Sequence, residues 1–308
     1  MSFKQYAAEG NSDLGDFSFN NRLNDPALYR PSEDLVTAVN VALKLGQPLL
    51  LTGEPGTGKT QLAYHVAHFF NLEDPLVFNA QTSSQVQDLF YTYDALRHFQ
   101  FNQNNPTQLS RKEIEESFIE YQALGKAIKS KSRKVVLIDE IDKAPRDLPN
   151  DVLAAIENME FRVAELGGEP IKAENAHRPI VIITSNSEKN LPDAFLRRVV
   201  YYHIPFPSPE ELTRIVSLKV DGYGEEDLNI LIDYFWGIRK DKSLRLKKDP
   251  ATAELIFWVM LLKGMDFDPE GLKDVSSLSD TDKAVLRNSF SVLAKTQEDL
   301  RALKERVK

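Results

Sequence analysis

The sequence predicts an α/β fold: an αβα sandwich around a central parallel sheet, followed by an all-α region. Two short runs without a polar residue, Leu49–Leu51 and Val135–Ile138, are typical of strands buried on both faces of a parallel sheet. Segments with apolar residues at helical spacing lie between such runs. After residue 208, only helical patterns follow. This order of elements separates an α/β part from a helical part.

The composition limits the classes of function. The chain has 308 residues, a net charge of −8 and no cysteine. This charge argues against binding nucleic acid by charge alone, and disulfides and thiolate metal sites are excluded. The first residues lack the apolar core of a signal peptide, and no run is long enough to span a membrane. We therefore expect a cytoplasmic protein without a membrane partner.

The elements before the first motif follow from local signals. Residues 1–30 are polar and are expected to form an irregular arm. Ser32 is a suitable N-cap for a helix with an apolar face, and Gly46 and Pro48 mark its end. Leu49–Leu51 predicts a strand, Gln61–Phe70 a helix and Leu76–Phe78 a second strand.

A phosphate-binding motif lies between the first strand and the next helix. It fits G-x-x-x-x-G-K-[ST] and consists of Gly53, Glu54, Pro55, Gly56, Thr57, Gly58, Lys59 and Thr60. The glycines let the backbone direct N–H groups at phosphate oxygens, at the positive end of the helix. Lys59 would reach the β- and γ-phosphates, and the Thr60 hydroxyl would hold Mg²⁺. Strand, loop and helix form the context that the motif requires.

Two carboxylates directly follow the buried run Val135–Ile138. Asp139 and Glu140 would emerge at the carboxyl edge of the sheet, where open α/β sheets bind ligands. Asp139 would complete the Mg²⁺ shell through water, and Glu140 would orient and deprotonate a water that attacks the γ-phosphate. Asp-Glu after a strand is also common in solvated turns, so this interpretation depends on the phosphate-binding motif.

The polar segment from Gln81 to Lys134 is harder to interpret. Its pattern predicts helices around Gln85–Phe99 and Lys112–Ile128, with a loop at Asn102–Pro106 between them. The segment could engage a client protein or pack between subunits, and the sequence leaves both open.

Taken together, the motifs resemble those of AAA+ ATPases, and Leu137–Ala144 is similar to the MoxR branch of the dynein-related group. The resemblance continues in family order. A hairpin is expected at Gly167-Gly168, a sensor-1 strand at Ile180–Asn186, and an arginine-finger segment at Leu191–Val199. The family fold is a P-loop NTPase core with a helical lid.

The resemblance gives roles to four further residues. Asn186 falls at the sensor-1 position and could hydrogen-bond the attacking water and a γ-phosphate oxygen, although an Asn at a strand end can also cap a turn. Arg197 and Arg198 are candidates for the finger that reaches a neighbouring subunit. Arg198 is favoured because it precedes the apolar residue, as in the family motif; one of the two could instead pair with a surface carboxylate. Asn79 lies where related ATPases keep a polar residue that restrains the catalytic glutamate.

A domain boundary is expected at Pro205–Pro209, because three prolines in five residues cannot continue a strand. Ser208 and Glu211 then form a capping box. We predict an arm at 1–30, a nucleotide-binding core at 31–205 and a helical lid at 206–308. Four lid helices are expected, and the last runs from Asp280 to about Arg306. The four lid aromatics are interpreted as core residues rather than a base-stacking platform; they are Phe235, Trp236, Phe257 and Trp258.

The lid departs from the family pattern at one position. The family's sensor-2 arginine aligns with Ala253, and Arg245, Lys247 or Lys248 could serve instead. The hydrolysis rate is therefore open. Two metal-like signals are weak: the acidic residues at 266, 268 and 270 lack the spacing of a calcium loop, and His65 and His68 are expected to be structural or solvent-facing.

By resemblance, the chain is expected to be a MoxR-type AAA+ ATPase that uses ATP and Mg²⁺ at the subunit interfaces of a homo-oligomeric ring, expected to be a hexamer. Its task would be to remodel or activate a partner protein, and a protein with a von Willebrand factor A domain is one implied partner. A nucleotide-gated scaffold with little hydrolysis is the alternative. A nucleic-acid motor is disfavoured by the acidic composition. The client and the choice of ATP over GTP do not follow from the sequence.

Overall fold

The computed structural model describes residues 22–104, 109–187 and 191–307. The described residues divide into two compact units. The sheet unit contains Pro31–Gly53 and Gly58–Ile204; the helical unit contains Glu54–Thr57, the residues from Pro205 onward and the described part of the first thirty residues. Most of the predicted arm lies outside the described residues, and Pro26–Leu28 forms a short 3-10 turn.

The sheet unit is built around a five-stranded parallel sheet. Its strands are β1 Leu49–Gly53, β2 Leu76–Asn79, β5 Val135–Asp139, β8 Ile180–Thr184 and β9 Val200–Ile204. They lie in the order β2-β5-β8-β1-β9. Leu50, Leu51 and all four residues of Val135–Ile138 have no exposed surface. The predicted α/β class with a central parallel sheet and a following helical part is confirmed.

Helices follow the strands of this unit. They are α1 Glu33–Leu45, α2 Lys59–Phe69, α3 Ala95–Asn104, α4 Arg111–Phe118, α5 Ala123–Lys129, α6 Leu148–Asn158 and α7 Asp193–Leu196. The boundaries of α1 are as predicted, because the Ser32 hydroxyl accepts a hydrogen bond from the Leu35 N–H and Gly46 ends the helix at a φ of 63°.

The segment between β2 and β5 contains strands as well as helices, which corrects the prediction. Two short strands, β3 Tyr91–Tyr93 and β4 Ile119–Tyr121, pair antiparallel and enclose α3 and α4. The predicted helices were too long because these strands interrupt them. Tyr91 is buried, and its ring lies 6.4 Å from that of Phe161, so tertiary packing decides the strand state. Helix α3 continues into the predicted loop as far as Asn104, and residues 105 and 106 of that loop lie outside the described part.

The hairpin expected at Gly167-Gly168 is present. Strands β6 Glu160–Arg162 and β7 Pro170–Lys172 pair antiparallel, and both glycines have positive φ, 94° and 73°. Any side chain at these two positions would be strained.

The helical unit has its own apolar core. Its helices are α8 Pro209–Lys219, α9 Glu225–Lys240, α10 Thr252–Gly264, α11 Asp280–Leu293 and α12 Gln297–Glu305. The predicted capping box at Ser208 and Glu211 is present. The single last helix is a wrong prediction: Ala294 is extended, with ψ of 143°, and the Thr296 hydroxyl caps a new helix.

The lid aromatics divide by exposure. Phe235 and Trp258 are fully buried, Trp236 is half-buried and Phe257 is exposed by 37%. The core interpretation is therefore confirmed for Phe235 and Trp258 and is wrong for Phe257. Among the described residues, no helix is long and apolar enough to cross a membrane.

Candidate nucleotide site

The phosphate-binding loop begins where β1 ends and continues into α2. Gly56 and Gly58 have φ of 77° and 86°, a left-handed conformation that lets successive N–H groups point to one side. Lys59 is buried, with 7% of its surface exposed, and its Nζ donates to the Gly53 carbonyl oxygen at 2.8 Å. The Lys59 ammonium group thus lies against the loop that would also bind the phosphates.

The loop segment Glu54–Thr57 belongs to the helical unit. The Thr57 hydroxyl donates to the Glu54 carbonyl oxygen at 2.8 Å. A Cβ on Gly56 would lie 2.9 Å from the Cβ of Ala251 and 3.7 Å from that of Ala253. Any side chain at position 56 would therefore collide with the start of α10. Ala253, where the sensor-2 arginine was expected, does lie beside the loop, but it carries no charge.

The two predicted metal-binding residues are in direct contact. The Thr60 hydroxyl lies 3.1 Å from Asp139 Oδ1 and 3.4 Å from Oδ2. Hydroxyl and carboxylate oxygens are the ligands that Mg²⁺ prefers. This pair of residues, 79 positions apart in the sequence, fits a magnesium ion.

A buried threonine on β8 connects the two carboxylate residues. Thr184 is fully buried; its hydroxyl donates to Asp139 Oδ1 and accepts a hydrogen bond from the Glu140 N–H at 2.9 Å. Glu140 has a φ of 55°, a conformation that is unusual for a residue other than glycine. The Thr184 hydroxyl holds the Glu140 N–H in this strained turn.

The Glu140 carboxylate has two partners. Its Oε1 accepts a hydrogen bond from Asn186 Nδ2 at 3.3 Å, and its Oε2 forms an ion pair with Lys143. The hydrogen bond from Lys143 is the main reason that the pKa of Glu140 lies below its usual value. Asn186 is itself positioned, because its backbone N–H donates to Asp142 Oδ1 at 3.1 Å. The structure therefore brings Glu140 and Asn186 together.

Asn79 lies on the neighbouring strand, in register with Asp139. Its side chain is exposed, and within the described residues it makes no hydrogen bond to Glu140. The structure thus places Asn79 at the same edge without joining it to the glutamate.

The arginine candidates lie beyond α7 and are both exposed. Arg198 Nε lies 3.7 Å from Glu157 Oε1, and about half of each side chain is exposed. The favoured finger is therefore the one of the two that pairs with a surface carboxylate. Such an exposed pair is weak and can separate at little cost.

A sensor-2 role for Arg245, Lys247 or Lys248 stays a prediction. Lys247 Nζ lies 3.3 Å from Glu298 Oε1, and its N–H donates to Asp299 at 2.8 Å. Arg245 occupies a left-handed turn, with φ of 47°. Among the described contacts of Arg245, Lys247 and Lys248, none reaches Glu54–Thr57.

The weak metal signals do not form a site. In the described residues, no group of three or more His, Asp or Glu side chains could hold a metal ion. Asp268 instead accepts a hydrogen bond from the Glu270 N–H and begins a 3-10 helix. His68 is exposed, and His65 is half-buried.

Four residues at or near the site were not picked out from the sequence. Thr184 and Asp142 lie within strings that were recognised, but their contacts join different parts of the chain, whereas Lys143 lies three residues from its partner Glu140. Arg239 contacts Glu54 across 185 residues, and no sequence pattern indicates that pairing. Polar residues that end a buried strand, such as Thr184, are the signal that could have been used.

The chain was also compared with known protein families and solved structures. Residues 48–199 match the family described as the AAA domain of the dynein-related subfamily. The RuvB Holliday junction branch migration motor of Thermotoga maritima is 15% identical over 89% of this chain and 76% of its own, with a TM-score of 0.43. The FIGL-1 AAA domain in complex with ADP is 16% identical over 90% of this chain and 82% of its own, with a TM-score of 0.43.

Proposed function

We propose that this chain is an ATP hydrolase of the MoxR type, which binds ATP with Mg²⁺ and remodels or activates a partner protein. One observation carries the proposal: at the carboxyl edge of the sheet, beside a phosphate-binding loop, a single hydrogen-bonded network joins Thr60, Asp139, Thr184, Glu140 and Asn186. From here on, the name carboxyl edge means these five residues together with Lys59. A solvated turn would not need a buried threonine to orient its carboxylates.

The binding roles follow from the donor types. The loop N–H groups from Gly53 to Thr60, except at Pro55, which has none, and the Lys59 ammonium would surround the phosphates. Thr60 and Asp139 would hold Mg²⁺, which when bound neutralises charge on the phosphate oxygens. Because the Thr184 hydroxyl donates to Asp139, that carboxylate stays oriented toward Thr60.

The hydrolytic role belongs to Glu140. Its carboxylate would accept a proton from the water that attacks the γ-phosphate, while the Asn186 amide holds Glu140 and the water in line. The Lys143 ion pair favours the ionised carboxylate, which is the form that a base needs. The Lys143 ammonium must move away from Glu140 Oε2 before water can reach that oxygen.

Completion of the site by a neighbouring copy is part of the proposal. Arg198, or Arg197 beside it, would stabilise the transition state in the next subunit of a homo-oligomeric ring, a hexamer by resemblance. Hydrolysis would then depend on assembly. The free energy released by ATP hydrolysis would be used to remodel or activate a client protein. A partner with a von Willebrand factor A domain is the candidate adaptor, in the cytoplasm.

Lys59→Ala tests the binding part of this proposal. Loss of the ammonium group should weaken binding of a fluorescent ATP analogue by about a hundredfold, since hydrogen bonds to charged groups are the strong ones. Lys44→Ala is the matched control, because Lys44 is an exposed lysine in the last turn of α1. Equal affinities in the two variants would contradict nucleotide binding at this loop.

A nucleotide-gated scaffold with little hydrolysis is the second candidate. Two observations favour it: Ala253 lies beside the loop where a charged residue was expected, and Arg198 is engaged within its own chain. Turnover measured in the assembled state separates the two functions. The less favoured nucleic-acid motor would require turnover that DNA stimulates and salt suppresses.

A further inference from the structure

An arginine of the helical unit whose side chain is mostly withdrawn from water contacts the segment Glu54–Thr57 of the phosphate-binding loop. The Arg239 side chain, in the last turn of α9, is only 10% exposed, and its Nη2 donates to Glu54 Oε2 at 2.9 Å. The Glu54 side chain is 52% exposed. A guanidinium group that is withdrawn from water depends on its partners more than a surface cation does.

The remaining contacts hold Arg239 in one place. Its guanidinium lies 3.6 Å from the centre of the Phe206 ring, and its Nη1 donates to the Pro250 carbonyl oxygen. Pro250 directly precedes the alanines that pack against Gly56. Arg239 therefore connects α9, the residues that begin α10 and the loop, and its fork cannot turn away without losing three contacts.

The loop is thus held at two points by one unit. Glu54 is held through its carboxylate. Gly56 is held by the close approach of Ala251, which leaves no room for a side chain at position 56. Glu54 is also the acidic residue of the motif Gly53–Thr60, and the charge of its carboxylate would repel phosphate unless it is paired. Arg239 both orients this carboxylate and offsets its charge.

We infer that Arg239 is a positioning residue for the phosphate-binding loop. Through Glu54 it holds Glu54–Thr57 in the shape that receives the phosphates, so the helical unit sets nucleotide affinity through the loop rather than through a side chain on the nucleotide. This inference rests on the proposed nucleotide binding. On this inference, Arg239 links the helical unit to nucleotide binding, although Ala253 stands where the family's sensor-2 arginine was expected.

A double-mutant cycle tests the inference. Arg239→Met keeps the packing against Phe206, and Glu54→Gln keeps the shape of the loop residue. The affinity of the full chain for a fluorescent ADP analogue is measured for both variants and for the double variant. Each single change should weaken binding by about tenfold, and the double variant should be no weaker than Arg239→Met alone, because both changes break the same pair.

A matched pair in the same unit gives the control. Arg306 Nη1 lies 2.9 Å from Asp241 Oδ2, with about a third of each side chain exposed, and no described contact of either residue reaches Glu54–Thr57. Arg306→Met and Asp241→Asn should leave the affinity unchanged, whereas a merely structural role for Arg239 would make both pairs alike. If Arg239→Met does not fold, Arg239→Lys replaces it and should weaken binding by a smaller factor.

The failures are distinguishable. If Arg239 touched the phosphates directly, Glu54→Gln would leave the affinity unchanged or increase it, and the two effects would be independent; that result, or wild-type affinity in both single variants, overturns the inference. If Lys59→Ala binds as tightly as wild type, the proposed function has failed. If Lys59→Ala loses binding while the Arg239 and Glu54 variants keep it, only the positioning role has failed.

Discussion

The carboxyl edge and the arginine segment Leu191–Val199 differ in how much of their chemistry one chain supplies. At the carboxyl edge, Asp139, Glu140 and Asn186 each have a hydrogen-bond partner within the chain. In the arginine segment, Arg198 has one exposed partner at 3.7 Å, and Arg197 is exposed. On the proposed function, a single copy would supply the groups that bind nucleotide, while Arg198, held by one exposed ion pair, would be the group that acts in another copy.

The largest effect is expected from the arginine segment. Arg197→Ala and Arg198→Ala are compared at equal concentration, and each serves as the control for the other. One of them should lose about a thousandfold in turnover, because a finger is worth that much in related chemistry, with nucleotide affinity unchanged. If both variants turn over ATP at the wild-type rate, the arginine segment has no catalytic part.

A slightly smaller effect is expected at the base. Glu140→Gln keeps the size of the side chain and removes the proton acceptor, so turnover should fall about a hundredfold or more. Nucleotide affinity should stay within about twofold of wild type, since the proposed role of Glu140 is to act on the attacking water rather than to bind the phosphates. Normal hydrolysis by this variant would rule out Glu140 as the base.

Thr184 tests whether the carboxyl edge needs its internal network. Thr184→Val keeps the shape but leaves the Glu140 N–H without its partner, which should lower the free energy of unfolding by about 1–3 kcal/mol. We also expect turnover to fall by about tenfold, since one factor of ten corresponds to about 1.4 kcal/mol. Thr184→Ser retains the hydroxyl and is the control. Equal stability and turnover in the two variants would show that the hydroxyl orients nothing.

The smallest effect is expected from the partner of Arg198. Glu157→Gln removes an exposed ion pair, and such pairs contribute about 0–1 kcal/mol. The free energy of unfolding, measured by urea denaturation, should change by less than about 0.5 kcal/mol, and turnover should not fall. A large loss of either would mean that the pair fixes the arginine segment, which would then not be available to a neighbouring copy.

Local signals predicted most of the fold. The apolar runs of β1 and β5, the N-caps Ser32 and Ser208 and the glycine turn at 167 and 168 each specify their structure within a few residues. The three-residue strands β3 and β4 were missed because their pairing joins positions about thirty residues apart. The break at Thr296 was missed because the apolar spacing continues across it.

The candidate site was predictable to a similar depth. The motifs gave Lys59, Thr60, Asp139 and Glu140, because each lies next to a strand or loop with its own pattern. The residues that orient them were not predictable in this way: Thr184 reaches Asp139 across 45 positions and Arg239 reaches Glu54 across 185. Such contacts depend on which strands and helices become neighbours, and this information is not local.

Mixing two inactive variants tests most directly whether the site is shared between adjacent copies. Glu140→Gln and Arg198→Ala are combined in equal amounts, and ATP turnover is measured against total protein concentration. If the base and the finger act in adjacent copies, about a quarter of the interfaces in a random ring hold both intact groups, and turnover should return to about a quarter of the wild-type rate. Arg197→Ala replaces the second variant if Arg197 proves to be the finger. A mixture that stays as inactive as its components, under conditions where wild type assembles and turns over ATP, would contradict a site shared between copies.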